Sequence, residues 1–203
     1  MKNTVTTIDT KEQILNVAER LFAEKGFAGT SLRNVIREAG VNIAAVHYHF
    51  GSKEELFIAV VRRVAQQIVA SQVEELAKYE NLEEPPSLES ILEAFYGPPL
   101  RVITQMGEAG VVRAQFMGRC RAEPFPIQQL SDKEFHESQR RFLDILQRAL
   151  PNQTRTELTW KLDLAVAIIV RTANQIGQSD KVITGNSSEE IETAIARLVK
   201  FVA

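Results

Sequence analysis

The chain has 203 residues, 44% of them apolar and 25% charged, with a formal net charge of −2, which is the composition of a folded globular protein and excludes a disordered or collagen-like chain. A single cysteine, Cys120, excludes an internal disulfide framework, and Lys2 followed by polar threonines is not a signal-peptide start, so a cytoplasmic setting is expected. No apolar run approaches the roughly 20 residues that cross a bilayer, so no membrane partner is expected.

The charge is unevenly spread. Residues 1–63 hold 9 Lys/Arg against 7 Asp/Glu, and the remaining 140 hold 15 against 19, so the first segment suits a polyanion better than the rest. In chain order, apolar residues recur at helical spacing almost throughout, and no stretch alternates at period two. Five Ser/Thr residues followed three places later by Glu or Gln mark helix starts as capping boxes: Thr10/Gln13, Ser52/Glu55, Ser131/Glu134, Thr154/Glu157 and Ser187/Glu190. The fold class expected is all-α.

A first helix is predicted over about 11–25, with Ile14, Ala18, Leu21 and Phe22 on one face and Gly26 as its left-handed stop. A second, over about 31–39, starts from Thr30 as N-cap and buries Leu32, Val35, Ile36 and Ala39. A third runs over about 43–49 from Asn42 to Gly51, and a long fourth over about 52–78 carries Leu56, Val60, Val64, Ile68 and Val73. Further helices are expected near 87–106, interrupted at Gly97-Pro98-Pro99, then 109–121, 131–149, 154–177 and 187–202.

Two short helices joined by Ala39-Gly40-Val41 are the layout in which one helix braces against DNA and the next enters a major groove. Val41 and Val46 point inward, which leaves Ile43, Ala44, Ala45, His47 and His49 on the outer side. Small alanines let the backbone approach base edges, and Ile43 or an alanine can meet a thymine methyl. Tyr48 and His49 lie within reach of phosphate, and Lys53 with the free amides of the next helix start forms an expected anion site.

The stretch Ala18-Glu-Arg-Leu-Phe-Ala-Glu-Lys-Gly-Phe27, continued by Thr30-Ser31-Leu32, Ile36, Ala39-Gly40-Val41 and Tyr48-His49-Phe50-Gly-Ser-Lys-Glu-Glu-Leu56, resembles the entry pattern of the tetracycline-repressor (TetR) family over about residues 11–60. The resemblance implies DNA contacts from Thr30, Ser31 and Arg33 on the brace helix, from Ile43, Ala44, Ala45 and His47 on the recognition helix, and from Tyr48, His49 and Lys53 at phosphates. One departure stands out: His47 occupies a position where the family often has tyrosine. An imidazole there would make affinity mildly pH-dependent.

The resemblance further implies a helix-turn-helix domain over residues 1–52 and an effector-binding, dimerising helical domain over 53–203. The chain then reads as a ligand-responsive repressor acting as a homodimer on double-stranded DNA with a palindromic operator. A transcriptional activator, or a helical interaction module with accessory DNA binding, is the alternative. Pocket candidates are Phe95, Tyr96, Met106, Arg113, Phe116, Met117, Cys120 and Asn174, with Arg101, Gln105 and Arg121 as further polar anchors for an unidentified small molecule. Stripes of Leu158, Leu162, Ala165 and Ile169 and of Ile191, Ile195 and Leu198 are the candidate dimer seam.

No cofactor or metal is expected, since His47 and His49 lie two apart on a helix without a third ligand nearby in sequence. Neither paired carboxylates nor a phosphate loop accompanies His136 or the pocket candidates, so enzymatic turnover is not expected.

Overall fold

A computed structural model describes residues 9–173 and 188–202, and every regular element among them is a helix. In order these are α1 (Thr10–Gly29), α2 (Leu32–Ala39), α3 (Ile43–Phe50), α4 (Lys53–Glu80), α5 (Leu88–Gln105), α6 (Glu108–Ala122), α7 (Ile127–Asp132), α8 (His136–Ala149), α9 (Arg155–Ala173) and α10 (Ser188–Val202). A single 3-10 turn, Lys133–Phe135, separates α7 from α8.

The helix starts follow the capping chemistry in part. Ser52 and Glu55 form the reciprocal box, and Thr154 and Glu157 exchange both bonds, at 2.7 Å and 3.3 Å. The other boxes resolve differently. Asp9, not Thr10, caps α1, and Gln13 instead donates to the Ala39 carbonyl at 2.7 Å, tying α1 to the end of α2. Ser131 sits inside α7 and donates to the Gln128 carbonyl, while Glu134 pairs with Arg62 of α4. Ser187 lies outside the described residues.

Gly26 breaks α1 at φ 71°, ψ 179°, a backbone conformation essentially restricted to glycine. One more turn follows before Thr30. The turn between α2 and α3 is a Schellman motif: Gly40 at φ 63° donates to Arg37, and Val41 donates to the Ile36 carbonyl. Nothing lies near where a Cβ on Gly40 would sit, so φ alone fixes glycine there.

Two cores result. The first joins α1, α2, α3 and the front half of α4 through Leu21, Phe22, Val35, Val46, Phe57 and Val64, and it also takes in Phe116 and Cys120 of α6. An aromatic cluster sits at its centre: Phe57 meets Phe22, Phe27 and Phe116 edge-on at centroid distances of 5.2, 5.3 and 5.8 Å. The second core packs the back of α4 against α5, α8, α9 and α10 through Leu76, Phe95, Tyr96, Phe142, Leu158, Leu162 and Ile195. Packing is therefore continuous across residue 52, and α4 runs through both cores.

By length and composition α4 would be long and apolar enough to cross a membrane. Its apolar stripe is instead packed on protein, and Arg62 and Arg63 in its middle pair with Glu134, Glu12 and Glu19. Pro98 and Pro99 do not interrupt α5, which continues to Gln105. The cost of proline in a helix is a missing donor for the carbonyl four residues back. For Pro99 that carbonyl belongs to Phe95, and Gln72 of α4 supplies the missing donor from its side chain at 2.8 Å.

Candidate nucleic-acid interface and ligand cavity

The outer face of α3 is open as its sequence implies. Ile43 is 62% exposed and Tyr48 85% exposed, and Ala44 and His47 are also exposed, whereas Val46 and Phe50 anchor the opposite face in the first core. Ala45 and His49 are half-buried at the edges of that face. Asn42 caps α3 by accepting from the Ala45 amide at 2.7 Å. In α2, Ser31 rather than Thr30 is the cap, accepting from Asn34, and Arg33 is exposed and makes no ion pair among the described residues.

Three of the expected DNA contacts are constrained by these surroundings. Thr30 is 1% exposed, and its hydroxyl donates to the Leu21 and Gly26 carbonyls, so this side chain holds the end of α1 and does not reach outward. The Lys53 ammonium donates to the Phe27 and Thr30 carbonyls, each at 3.0 Å, and lies 4.1 Å from the centre of the Phe27 ring. The amide of Ser52 is taken by the Glu55 carboxylate, and Glu54 adds a second negative charge to the same turn. The Lys53 ammonium is thus turned toward the end of α1, and two carboxylates crowd the start of α4 where an anion site was expected.

His47 is also partly committed. Its Nδ1 lies 3.0 Å from the Gly51 carbonyl, which can only accept, so Nδ1 carries the proton and Nε2 of the neutral ring is left as an acceptor.

The three-helix unit is clamped from behind by α6. The Glu123 carboxylate accepts from the Phe27 amide at 2.7 Å, and Arg119 donates to the Glu24 carbonyl at 3.1 Å. Deeper in, Glu19 of α1 bridges Arg63 of α4 and Arg113 of α6, with Arg113 Nε at 3.4 Å. Met106, Arg113 and Phe116, expected in the ligand pocket, belong to this junction: Arg113 also donates to the Met106 sulfur, and Phe116 is in the aromatic cluster. Arg101 pairs with Glu192 and Glu93, and Gln105 is exposed.

A mainly apolar cavity does lie in the second half of the molecule, between α4, α5, α6, α7, α8 and α9. Its volume is about 60 Å³, room for several waters or part of a small ligand. Of the pocket candidates, Phe95, Met117 and Cys120 line it, as does Arg121 of the further polar anchors. Tyr96 is fully buried beside it in the second core, its hydroxyl without a partner and pushed up to about 12 by burial. Burial likewise pushes the Cys120 thiol up. Asn174 lies outside the described residues.

Sequence reasoning missed Gln72, Ser131, Asp132, Ser138 and Val166 in the cavity wall. For Gln72 a signal was present: it continues the i, i+4 series Val60, Val64, Ile68 toward Leu76, so it is a polar residue in an apolar stripe.

The candidate dimer stripes are largely used within one subunit. Leu158, Leu162, Ala165, Ile191 and Ile195 are buried core, Ile169 and Leu198 pack partly buried against it, and Ile169 also lines the cavity. What α9 leaves outside is Trp160, 62% exposed, with Leu164 and Ala167. Among the described residues no group of three or more His, Cys, Asp or Glu is placed to hold a metal ion.

A three-helix unit with an open, small-residue second helix of a helix-turn-helix, joined to an all-helical domain, is the architecture of a DNA-binding regulator. Residues 14–60 match the family of bacterial regulatory proteins named for tetR, and residues 93–203, more than half of the chain, match the tetracyclin repressor-like C-terminal domain. The chain belongs to the TetR family.

The transcriptional regulator LmrA of Bacillus subtilis is 41% identical over 61 residues, which is 30% of this chain and 32% of that protein. The transcriptional repressor AcnR of Corynebacterium efficiens is 36% identical over 61 residues, again 30% and 32%. These matches span about a third of either relative. Over the whole fold the chain is similar to a transcriptional regulator from Aquifex aeolicus, with a TM-score of 0.61 at 22% identity, covering 96% of this chain and 100% of the other. A regulatory protein from Rhodococcus gives a TM-score of 0.65 at 13% identity, covering 97% and 96%.

Proposed function

We propose that this chain is a transcriptional repressor that binds double-stranded operator DNA as a homodimer and releases it when a small molecule enters the cavity. The observation that carries this reading is the outer face of α3, where Ile43, Ala44 and His47 stand exposed on a helix held from behind by Val46 and Phe50. Residues 1–52 supply the DNA-facing unit and residues 53–203 the ligand and dimer surfaces. Ile43, Ala44, Ala45 and His47 read the groove, and Ser31, Arg33, Tyr48 and His49 hold the backbone. Lys53 acts mainly by fixing the turn at Phe27–Thr30, with its third ammonium donor left for phosphate.

The dimer seam is placed on the exposed stripe of α9, Trp160, Leu164 and Ala167, in place of the buried stripes. Two copies so joined present two recognition helices to half-sites about one DNA turn, roughly 34–36 Å, apart. A ligand controls that spacing only if it prefers one arrangement, and two routes lead from the cavity to the DNA unit. One is α4, which carries Ile68 and Gln72 in the wall. The other is α6, which carries Met117 and Cys120 in the wall and Arg119 and Glu123 on α1.

The deciding experiment is footprinting on genomic fragments with the wild-type chain and Ala44→Glu. A protected palindrome that is lost in the variant, with unchanged melting temperature, supports the reading. Equal protection by both proteins, or none by either, rejects it.

A further inference from the structure

The cavity wall is apolar except for a few side chains, and most of their donors are already committed. Gln72 is 3% exposed, and its amide nitrogen is fixed on the Phe95 carbonyl that Pro99 leaves without a helix donor, so its Oε1 is an acceptor without a protein partner. Ser131 and Ser138 are buried, and both hydroxyls donate to helix carbonyls, of Gln128 at 2.7 Å and of Phe135 at 3.2 Å. Only their lone pairs remain. Arg121, the cation of the wall, is held by Asp132 at 3.1 Å and has Asp163 3.9 Å from its other terminal nitrogen, so two carboxylates face one guanidinium. Gln139, half-buried in the wall, keeps an uncommitted amide with both donors and an acceptor.

From this inventory, and resting on the reading of the cavity as the effector site, we infer that the ligand is a small apolar molecule whose polar end donates hydrogen bonds, an amine or an alcohol, and not a carboxylate or phosphate. A donor end satisfies Gln72 Oε1, an acceptor in the cavity wall that the protein leaves unmatched, and finds further acceptors in Ser131 and Ser138. An anionic end meets the same oxygens as repulsive neighbours, with the uncommitted amide of Gln139 as its free donor. To gain Arg121 it must compete with a carboxylate already in place. The small volume leaves no room for a long acyl chain.

Three probes with one shared body separate the possibilities: 2-phenylethylamine, 2-phenylethanol and phenylacetate, titrated calorimetrically into the full chain. The amine and the alcohol are expected to bind at least about ten-fold tighter than phenylacetate, and an amine advantage over the alcohol attributes the surplus to the two carboxylates. Asp132→Asn, which releases Arg121, should move the amine-to-phenylacetate ratio toward the anion by about ten-fold. Tightest wild-type binding by phenylacetate, or a ratio unmoved by Asp132→Asn, overturns the ligand class while the cavity stands as a binding site. No binding by any probe at millimolar concentration, or undiminished binding by the cavity-filling Val166→Trp, overturns the effector-site reading itself.

Discussion

His47 faces outward with one ring nitrogen already bound to the Gly51 carbonyl, and this decides what it can do at a DNA site. The neutral ring offers an acceptor at Nε2, suited to the exocyclic amine of adenine or cytosine in the major groove and not to a phosphate oxygen. His47→Phe should therefore relax base preference at one position per half-site, with little change in salt dependence. A selection over randomised operators checks this, and an unchanged base profile would exclude His47 from readout. Lys53→Ala is expected to do two things at once. It removes two bonds from a charged donor to the turn at Phe27–Thr30, costing about 2 kcal/mol of stability, and it weakens operator binding for all sequences. Urea melts and binding isotherms at two salt concentrations test both. Stability equal to wild type would mean that the ammonium does not hold the turn. These residues show how far sequence reaches at this scale. The open face of α3 was legible because small and apolar residues stand out on a short helix. The inward commitment of Thr30 and Lys53 was not, because both partners are backbone carbonyls at the end of α1, and a carbonyl carries no sequence signature.

α6 and its C-cap carry two jobs. Met117 and Cys120 line the cavity, and Glu123 holds the Phe27 amide where Gly26 turns the chain. A Cβ on Gly26 would fall 2.7 Å from the Glu123 carboxylate, in a backbone conformation that side chains avoid. Glu123→Gln weakens one charge-assisted bond of about 1.5–3 kcal/mol, and it should uncouple ligand from DNA: operator affinity persists while a cavity ligand no longer lowers it. Retention of full ligand-dependent release in this variant would leave α4 as the sole route. α10 is tied differently, by the Arg101 bridge to Glu192 at 2.6 Å, and the Arg101 guanidinium holds that carboxyl below its usual range. A lowered folded pKa means that the bridge contributes stability above the ordinary carboxylate value and loses it as pH falls through the lowered one. Wild type should accordingly melt above Glu192→Gln at neutral pH, with the gap closing in acid, and a gap constant with pH would rule this linkage out. Among elements, α1 to α6, α9 and α10 were legible from stripes and caps. The split of 131–149 into α7, a turn and α8 was not, because Ser131 and Glu134 imitate a capping box while each answers to a different partner. The continuity of α5 through Pro98-Pro99 was hidden for a similar reason, since the compensating donor is Gln72, far away in sequence.

For the whole molecule, the all-helical class and its two-part plan followed from periodicity and from the motif over residues 11–60, whereas the division of labour within the second part did not. A stripe of leucines and alanines is equally good for a core and for a partner, and only packing shows that Leu158, Leu162 and Ile195 serve the core. If the exposed stripe of α9 is the seam, Trp160→Glu should convert a dimer to a monomer in sedimentation and lower operator affinity by at least about ten-fold, since one half-site is lost. A dimer that survives the substitution would move the seam elsewhere. The junction of α1 with α6 also has a consequence for synthesis. Phe116, Cys120 and Glu123 complete the core and the clamp of the DNA-facing unit, and the Glu123–Phe27 bond spans 96 positions along the chain. As the polypeptide leaves the ribosome, α1 to α3 emerge first but lack these partners until α6 has followed. A nascent or prematurely terminated chain that stops before α6 thus exposes Phe57 and Phe22 where Phe116 should cover them, an apolar surface prone to aggregation.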